Sequence, residues 1–432
     1  MQIFSGSIEW RPAFQVVHDD SGPVSVVRVH RSDLFFERWD KLENPLVEQA
    51  YGQWLDDWRP EIVHVHHWAR LTTSLVRTAR ARGLPTVVTL HDLFASCPRY
   101  HRVKADNSFC TSRPGVDACA HCAPRWRFQG DEEIDLSLEG FVEDMADEVR
   151  AASAVVAPTA GHGRRVMDWL GLERPVVSIP PAGSSVPGPA SRPLGDRVST
   201  SPEPLRVGMF GHLHPLKGLE ILLAAQAGLD DPQLLELHIW GEAPDEQTQA
   251  DLSRAAGQRP VVWHGAYAPE DLAGAPVDVV ALPSLCAESY SFTLDEAASL
   301  GVPIVATDLG ALADRATDRV WLVPRGDVPA LGAALQQLGA EPSTRQQMRA
   351  APAPTHCDGA QHDAALRKVY TTLLAGARPP RQAEDLRGLA LRVRAFRQRE
   401  AGLAELLRSE GWEDVVAGLQ ERVRALEPEA GG

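Results

Sequence analysis

Cysteine is scarce in this chain: six in 432 residues do not make a disulfide scaffold. No apolar run approaches the roughly 18 residues that a membrane-spanning helix needs. Positive charge is not in excess: 43 Lys and Arg stand against 58 Asp and Glu, a formal net charge of −15. Such a balance argues against a nucleic-acid binder held by phosphate contacts and gives no general attraction to anionic lipid. The opening residues MQIFSGSIEWRP lack the basic start and apolar core of a secretory leader. The expected location is therefore the cytoplasm, with peripheral contact at the inner membrane face through a local patch as the alternative. No G-x-S-x-G, G-x4-G-K-[ST] or H-E-x-x-H pattern occurs, so serine hydrolases, P-loop NTPases and zincins have no support.

What the chain does have is alternation. Apolar residues make up 44% of it, enough for real cores and too many for general disorder. Short β-branched runs recur at 61–67, 84–92, 153–159 and 175–181, then at 205–211, 235–241, 260–265, 277–283, 302–308 and 319–324. Helical patterns separate them at 68–83, 133–151, 218–228, 245–257, 293–301 and 328–339. Strands that read as continuous apolar runs and alternate with helices predict parallel sheets covered on both faces, the α/β class. The Pro-, Gly- and Ser-rich stretch 183–204 has no periodicity and reads as a linker. It divides an N-terminal lobe, 1–182, from a C-terminal lobe, 205–375, and an amphipathic tail follows over 376–432. The tail predicts two helices broken near Gly411, packed on the outside of a lobe. Ligands of such sheets sit at the carboxyl ends of the strands, so functional residues should follow strands and face a cleft.

Three segments carry candidate chemistry. In LPSLCAESYSFTLDEAASLGVPIVATDLGA (282–311), Glu288 and Glu296 flank a loop-to-helix transition. The free amides that open such a helix suit a phosphate, and flanking carboxylates suit the hydroxyls of a sugar and a ribose. First-turn acids that merely answer the helix dipole are the alternative. In VGMFGHLHPLKGLEILLAA (207–225), a strand ends at Gly211, and His212, His214 and Lys217 precede a helix opened by Gly218. A lysine at that corner can neutralise a diphosphate leaving group, and a solvated surface lysine is the alternative. In EIVHVHH (61–67), strand alternation puts His64 and His66 on one face and His67 on the other, as cleft-lining or hydrogen-bonded imidazoles.

Together these segments resemble the retaining GT-B glycosyltransferases of family 4, the glycosyl transferases group 1, over residues 60–375. The resemblance rests on IVHVHH, TLHD, the Gly211-x5-Lys217-Gly218 loop, the Glu288-x7-Glu296 segment and the run EAASLGVPIVATDLGA. It implies two Rossmann-like lobes facing a cleft, with additional C-terminal helices. It implies transfer of a sugar from a nucleotide-diphosphate sugar to an acceptor hydroxyl with retention of anomeric configuration, in cell-surface polysaccharide or glycolipid assembly. The acceptor class it implies is a glycan, a lipid-linked or a small-molecule acceptor, and no catalytic cofactor is required. By position, Lys217 corresponds to the lysine on the donor diphosphate, with Gly211 and His212 in the same loop. Glu288 corresponds to the glutamate on the transferred sugar, and Glu296 to that on the ribose. Ser289, Tyr290, Ser291, Phe292 and Thr293 correspond to the loop whose amides hold the phosphates. His91 corresponds to a histidine facing the donor sugar, and Tyr267 lies where the nucleobase rests. His212 stands where the family often has Arg. The family also starts with a strand and a Gly-Gly loop, whereas this chain opens on what reads as a later strand. A GT-B scaffold or binding protein without turnover is the competing expectation, and a nucleotide-sugar 2-epimerase a third.

Four cysteines, Cys97-x12-Cys110-x8-Cys119-x2-Cys122, fall in a segment poor in apolar residues. Four thiolates ending in C-x2-C suit a structural zinc, with free thiols or disulfides as alternatives. Cys286 and Cys357 read as incidental thiols.

Overall fold

The computed structural model describes residues 1–31 apart from 8, 10 and 13, residue 39, and residues 44–125, 129–183 and 204–379. Nearly all of the expected linker and tail lie outside the described residues.

The N-terminal half contains two sheets. Strands β1 (Gln2–Ser7), β2 (Val16–Asp19) and β3 (Ser25–His30) form one, in the order β1-β3-β2, with β1 parallel and β2 antiparallel to β3. Strand β1 falls in the opening segment that reads as a strand, whereas β2 and β3 were not read from the sequence: most of their residues are not fully buried, and His, Asp and Arg interrupt the valines. Helix α1 (Pro45–Trp58) follows; Asn44 caps it by accepting from the amides of Leu46 and Val47. Then come β4 (Val63–Val65), α2 (Leu75–Ala81), β5 (Thr86–Thr89), α3 (Val116–Cys119), α4 (Asp131–Ala151), β6 (Ala154–Ala157), α5 (Ala160–Leu170) and β7 (Val177–Ser178). The four strands β4 to β7 make an all-parallel sheet in chain order.

The helix expected over 68–83 forms only at 75–81. The fully buried Glu148 of α4 explains the difference. Its carboxylate accepts from the Trp68 indole (2.8 Å) and from the amides of Val76 (2.7 Å) and Arg77 (2.9 Å). Those amides belong to the first turn of α2, which has no intrahelical partners for them, so the helix starts where an acceptor waits.

The C-terminal half is one six-stranded parallel sheet built from β8 (Leu205–Phe210), α6 (Leu219–Ala227), β9 (Leu235–Trp240), α7 (Glu246–Ala256), β10 (Val261–Gly265), β11 (Val279–Leu282), α8 (Phe292–Ser299), β12 (Ile304–Thr307), α9 (Gly310–Asp314), β13 (Val320–Val323), α10 (Val328–Ala340) and α11 (Pro342–Ala350). Its order is β10-β9-β8-β11-β12-β13. The chain winds outward from β8 in one direction, returns, and winds outward from β11 in the other. The doubly wound order has its switch point between β8 and β11, where their connections diverge and leave a crevice. The buried runs of β8, β9, β11 and β12 pack against helices on both faces, which is why they read as continuous apolar segments.

The last described helix, α12 (Gly359–Ala375), falls in the stretch the sequence assigns to the C-terminal lobe, yet it packs on the N-terminal sheet. Leu366, Val369, Tyr370 and Leu373 lie against Val87, Val156 and Ile179. The Tyr370 hydroxyl is 2.6 Å from His64 Nδ1, and Thr89 Oγ1 is 2.6 Å from His64 Nε2. Among the described residues no helix is long and apolar enough to cross a membrane.

This junction generates a pH prediction. Burial, aided by His66, His91 and His362, pushes the His64 imidazole down to about 3. A base whose folded value lies below its unfolded value of about 6.5 contributes stability that is present above that value. The contribution is lost as the pH falls toward 3. Wild type is therefore expected to melt above His64→Gln at neutral pH, with the gap shrinking between about pH 6.5 and 4. Thermal denaturation of both proteins across that range checks this; a gap that widens in acid contradicts it.

Candidate active site

The crevice between β8 and β11 is closed by two backbone contacts that only glycine allows. Gly218 has φ 81°, and a Cβ there would stand 2.0 Å from the Pro283 carbonyl oxygen. Gly310 has φ 61°, and a Cβ there would stand 2.7 Å from the Glu288 amide nitrogen. The first contact lays the corner after β8 onto the end of β11. The second packs the start of α9 against the loop carrying Glu288. Lys217, beside the first corner, thereby meets Glu288: Nζ donates to Oε1 at 2.7 Å. Ser284 Oγ donates to the same oxygen at 3.0 Å. Burial pulls the Lys217 ammonium toward neutrality, but the charge and hydrogen bond of Glu288 outweigh it and hold Lys217 above its ordinary value.

The segment between the two glutamates forms the start of α8, the cradle that the sequence analysis singles out for an anion. Ser291 has φ 72° and caps α8, accepting from the Leu294 amide at 3.3 Å; its hydroxyl is 3.1 Å from that of Thr293. The first-turn amides of α8 have no intrahelical acceptor and face the end of the helix with the positive dipole. On the far side of the cradle, Glu296 accepts from the Tyr267 hydroxyl at 2.8 Å. Burial and then Glu296 push that phenol well above its ordinary range, so it stays a donor.

A residue at positive φ other than glycine is costly, and a network with no local sequence signature holds it. Arg315 donates to the carbonyls of Tyr290 (2.8 Å) and Ser291 (3.3 Å), and to that of Thr355 (2.9 Å). It is ion-paired with Asp295, and its guanidinium lies 4.0 Å from the centre of the Tyr290 ring. Asp295 is fully buried, and burial pushes its carboxyl up while Arg315 opposes this. The two charged residues are twenty positions apart and follow no helical or strand period, so only the fold brings them together.

Across the crevice, the N-terminal sheet presents histidines at the ends of β4 and β5. His64 and His66 stack with ring centres 4.1 Å apart, as strand alternation implies. His66 Nδ1 is 2.8 Å from His91 Nε2, and both residues are exposed. Burial lowers the His91 imidazole, with His67 and His362 adding to the shift and Asp92 opposing it. His67 turns the other way: its Nδ1 accepts from the Ala69 amide (2.8 Å), leaving Nε2 to donate to Asp92 (3.2 Å). The halves also meet directly. Arg165 of α5 grips Asp314 at 2.7 and 3.0 Å, and Arg325 donates to the carbonyls of Leu285 and Asn107.

The structure therefore gathers Gly211, His212, Lys217 and Glu288 at one corner. It places Ser289, Tyr290, Ser291, Phe292 and Thr293 in the adjoining cradle, Glu296 and Tyr267 at its far side, and His91 on the opposite sheet. The zinc reading of Cys97, Cys110, Cys119 and Cys122 gains no support. The four thiols are free and border one small cavity, but no metal-holding group of three His, Cys, Asp or Glu exists among the described residues. Arg102, which is 2% exposed, lies within the same segment. It donates to the carbonyls of Ser96 (2.6 Å) and Cys110 (3.0 Å) and lies 3.8 Å from Cys110 Sγ. Burial pushes the Cys97 and Cys122 thiols up.

Comparison with known proteins agrees with this geometry. The family model described as Glycosyltransferase Family 4 matches residues 8–182, and that described as Glycosyl transferases group 1 matches residues 204–341. A D-inositol 3-phosphate glycosyltransferase of Paenarthrobacter aurescens (strain TC1) is 26% identical over 370 residues, 81% of this chain and 80% of the relative. Sucrose-phosphate synthase from Thermosynechococcus elongatus superposes with a TM-score of 0.54 at 18% identity, covering 87% of this chain and 89% of that one. Anabaena HepE in complex with UDP and glucose superposes with a TM-score of 0.53 at 16% identity, covering 86% and 99%. Both superpositions bear on the fold. With one model matching each half and the parallel sheets beneath them, the chain belongs to the glycosyl transferases group 1 and has the GT-B fold, and it is a glycosyltransferase that uses a nucleotide-sugar donor.

Proposed function

We propose that the Lys217–Glu288 corner is where the donor diphosphate leaves, and that transfer proceeds with retention of anomeric configuration. The observation that carries this is the ion pair itself, set at the switch point and beside a helix-opening cradle. Before substrate enters, Glu288 holds the ammonium in place. When a sugar arrives, its hydroxyls compete for Glu288, and Lys217 is released to face the diphosphate. As the bond from the anomeric carbon to the phosphate oxygen breaks, negative charge grows on that oxygen, where Lys217 and the amides of 290–293 can meet it. The acceptor oxygen forms its bond on the same face, and its proton passes to the departing phosphate oxygen. Glu288 then orients and stabilises a sugar of oxocarbenium character and need not act as a base. Glu296 suits the ribose hydroxyls, and Tyr267 fixes the rotamer of Glu296. The domain division at 183–204 follows from this reading, with the donor on the C-terminal lobe and the acceptor on the N-terminal lobe.

For the acceptor, the exposed His66–His91 pair offers hydrogen bonds suited to a polyhydroxylated molecule. The Paenarthrobacter relative, named for D-inositol 3-phosphate, supports a phosphorylated polyol or sugar as the first class to test. A product that enters a cell-surface polysaccharide or glycolipid completes the reading.

Two predictions follow from these roles. Lys217→Ala and Glu288→Gln should each lower kcat by about 10²-fold or more, the scale of removing one charge-stabilising group. Release of nucleoside diphosphate from matched donor and acceptor measures this, and proton NMR of the product reports the anomer. Full turnover in both variants, or an inverted product, overturns the assignment. The second prediction concerns Arg315. Replacing the buried pair together, as Asp295→Leu with Arg315→Met, removes both charges and leaves no unpaired one, so the fold should survive. The cradle carbonyls lose their clamp, and the KM for the donor should rise about tenfold, the scale of one charge-assisted hydrogen bond. An unchanged KM in the folded double variant contradicts the positioning role.

A further inference from the structure

The cysteine-rich segment does more than fill a surface. Its tip reaches the C-terminal half at two points: Arg325 holds the Asn107 carbonyl, and the His101 ring lies 6.4 Å from that of His214. His214 sits in the same corner as Lys217. Its Nδ1 accepts from the Leu216 amide at 3.2 Å, so in the neutral ring Nε2 carries the proton.

The backbone around His101 is unusual. Tyr100 has φ 68° and Arg102 has φ 53°, so left-handed residues other than glycine flank it on both sides. Such conformations persist only where the surroundings over-determine them, and they cluster at functional sites. Here the surroundings are explicit. Arg102 is locked by the carbonyls of Ser96, Cys110 and Ser112 and lies 3.8 Å from the centre of the Trp169 ring. Tyr100 packs against Phe94 with ring centres 4.8 Å apart and stacks on His67. Between two pinned neighbours, the His101 side chain is exposed. Nothing in the segment's own packing requires an imidazole there.

The charge balance at the corner supplies a reason. Lys217 is already matched by Glu288. A diphosphate brings more negative charge than one shared ammonium neutralises, and two imidazoles from opposite halves stand beside it. We propose that His101, presented by the cysteine-rich segment, is a ligand of the donor diphosphate and acts with His214 to bring positive charge to the leaving group when the nucleotide binds. This rests on the donor-site reading above. The groups facing His101 are Asp92, His214, Glu288 and Lys217, and those facing His214 are Lys217 and His212. Partial desolvation where the halves meet lowers both imidazoles, each of which keeps a solvent-exposed side; for His101, Asp92 and Glu288 oppose the shift while His214 and Lys217 add to it. In the free protein the pair is therefore mostly neutral near pH 7, and an arriving diphosphate pulls protons onto it.

The test is calorimetric titration of the full chain with UDP and with UMP at about pH 6 and about pH 8, in buffers of differing ionisation enthalpy. If wild type takes GDP, ADP or dTDP instead, the same titrations use that diphosphate and its monophosphate. Wild type should take up protons on binding the diphosphate and bind it about tenfold more weakly at the higher pH, the scale of one charge-assisted hydrogen bond. His101→Ala and His101→Asn should lose about tenfold in diphosphate affinity at the lower pH and show a flattened pH slope, with monophosphate affinity within about twofold of wild type. A merely structural role would weaken both nucleotides together and leave the slope intact, and that result overturns the proposal. So does wild-type diphosphate affinity in both variants. A wild type that binds no nucleoside diphosphate sinks the donor-site reading itself, which keeps the two failures distinct.

Discussion

The site depends on one steric constraint, the close approach of Gly218 to the Pro283 carbonyl. It lets the corner after β8 lie on the end of β11, at the place where the doubly wound sheet reverses direction. Only a residue without a Cβ permits that approach. Lys217 and Glu288 then come within 2.7 Å although 71 residues separate them. A preformed pair of this kind has a chemical use. In the proposed mechanism it keeps a cation beside the donor phosphates without leaving it unpaired in a partly buried corner, and hands that cation over when substrate hydroxyls claim the carboxylate.

Around this corner the protein spends conformational strain in two places, and each has a visible restraint. Ser291 is held at positive φ by Arg315 through the carbonyls on either side of the turn, with Asp295 keeping the guanidinium in position. His101 is held between two left-handed residues by the buried Arg102. Both restraints use arginine in the same way, with its planar set of donors gathering backbone carbonyls that have no secondary-structure partner. The cysteine-rich segment is thus tied together in part by a buried guanidinium.

The legible part of the sequence was the part governed by local rules. The C-terminal sheet could be read strand by strand because its central strands are buried on both faces and its edge strands still alternate with helices, and the glutamates, Lys217 and Tyr267 were marked by their places after strands. The unread part depended on tertiary context. Strands β2 and β3 carry partly exposed residues, with polar side chains interrupting their valines. The start of α2 is set by Glu148, which lies on another helix. Helix α12 crosses to the N-terminal sheet, which no local period announces. The Asp295–Arg315 pair and the approach of His101 to His214 join residues far apart in sequence. The burial of Arg102 among the backbone carbonyls of the cysteine-rich segment is likewise invisible in the cysteine spacing.

The central claim is that the C-terminal half binds the nucleotide through the cradle between Glu288 and Glu296. The most direct measurement is the thermal stabilisation of wild type and of Glu296→Ala by UDP, GDP, ADP and dTDP. A ligand that binds only the folded state stabilises it by about 2.7 kcal/mol at a hundredfold excess over its Kd, a shift of a few degrees. The account predicts such a shift for wild type with one nucleotide and its loss in Glu296→Ala. An equal shift in both proteins, or none with any nucleotide, would contradict it.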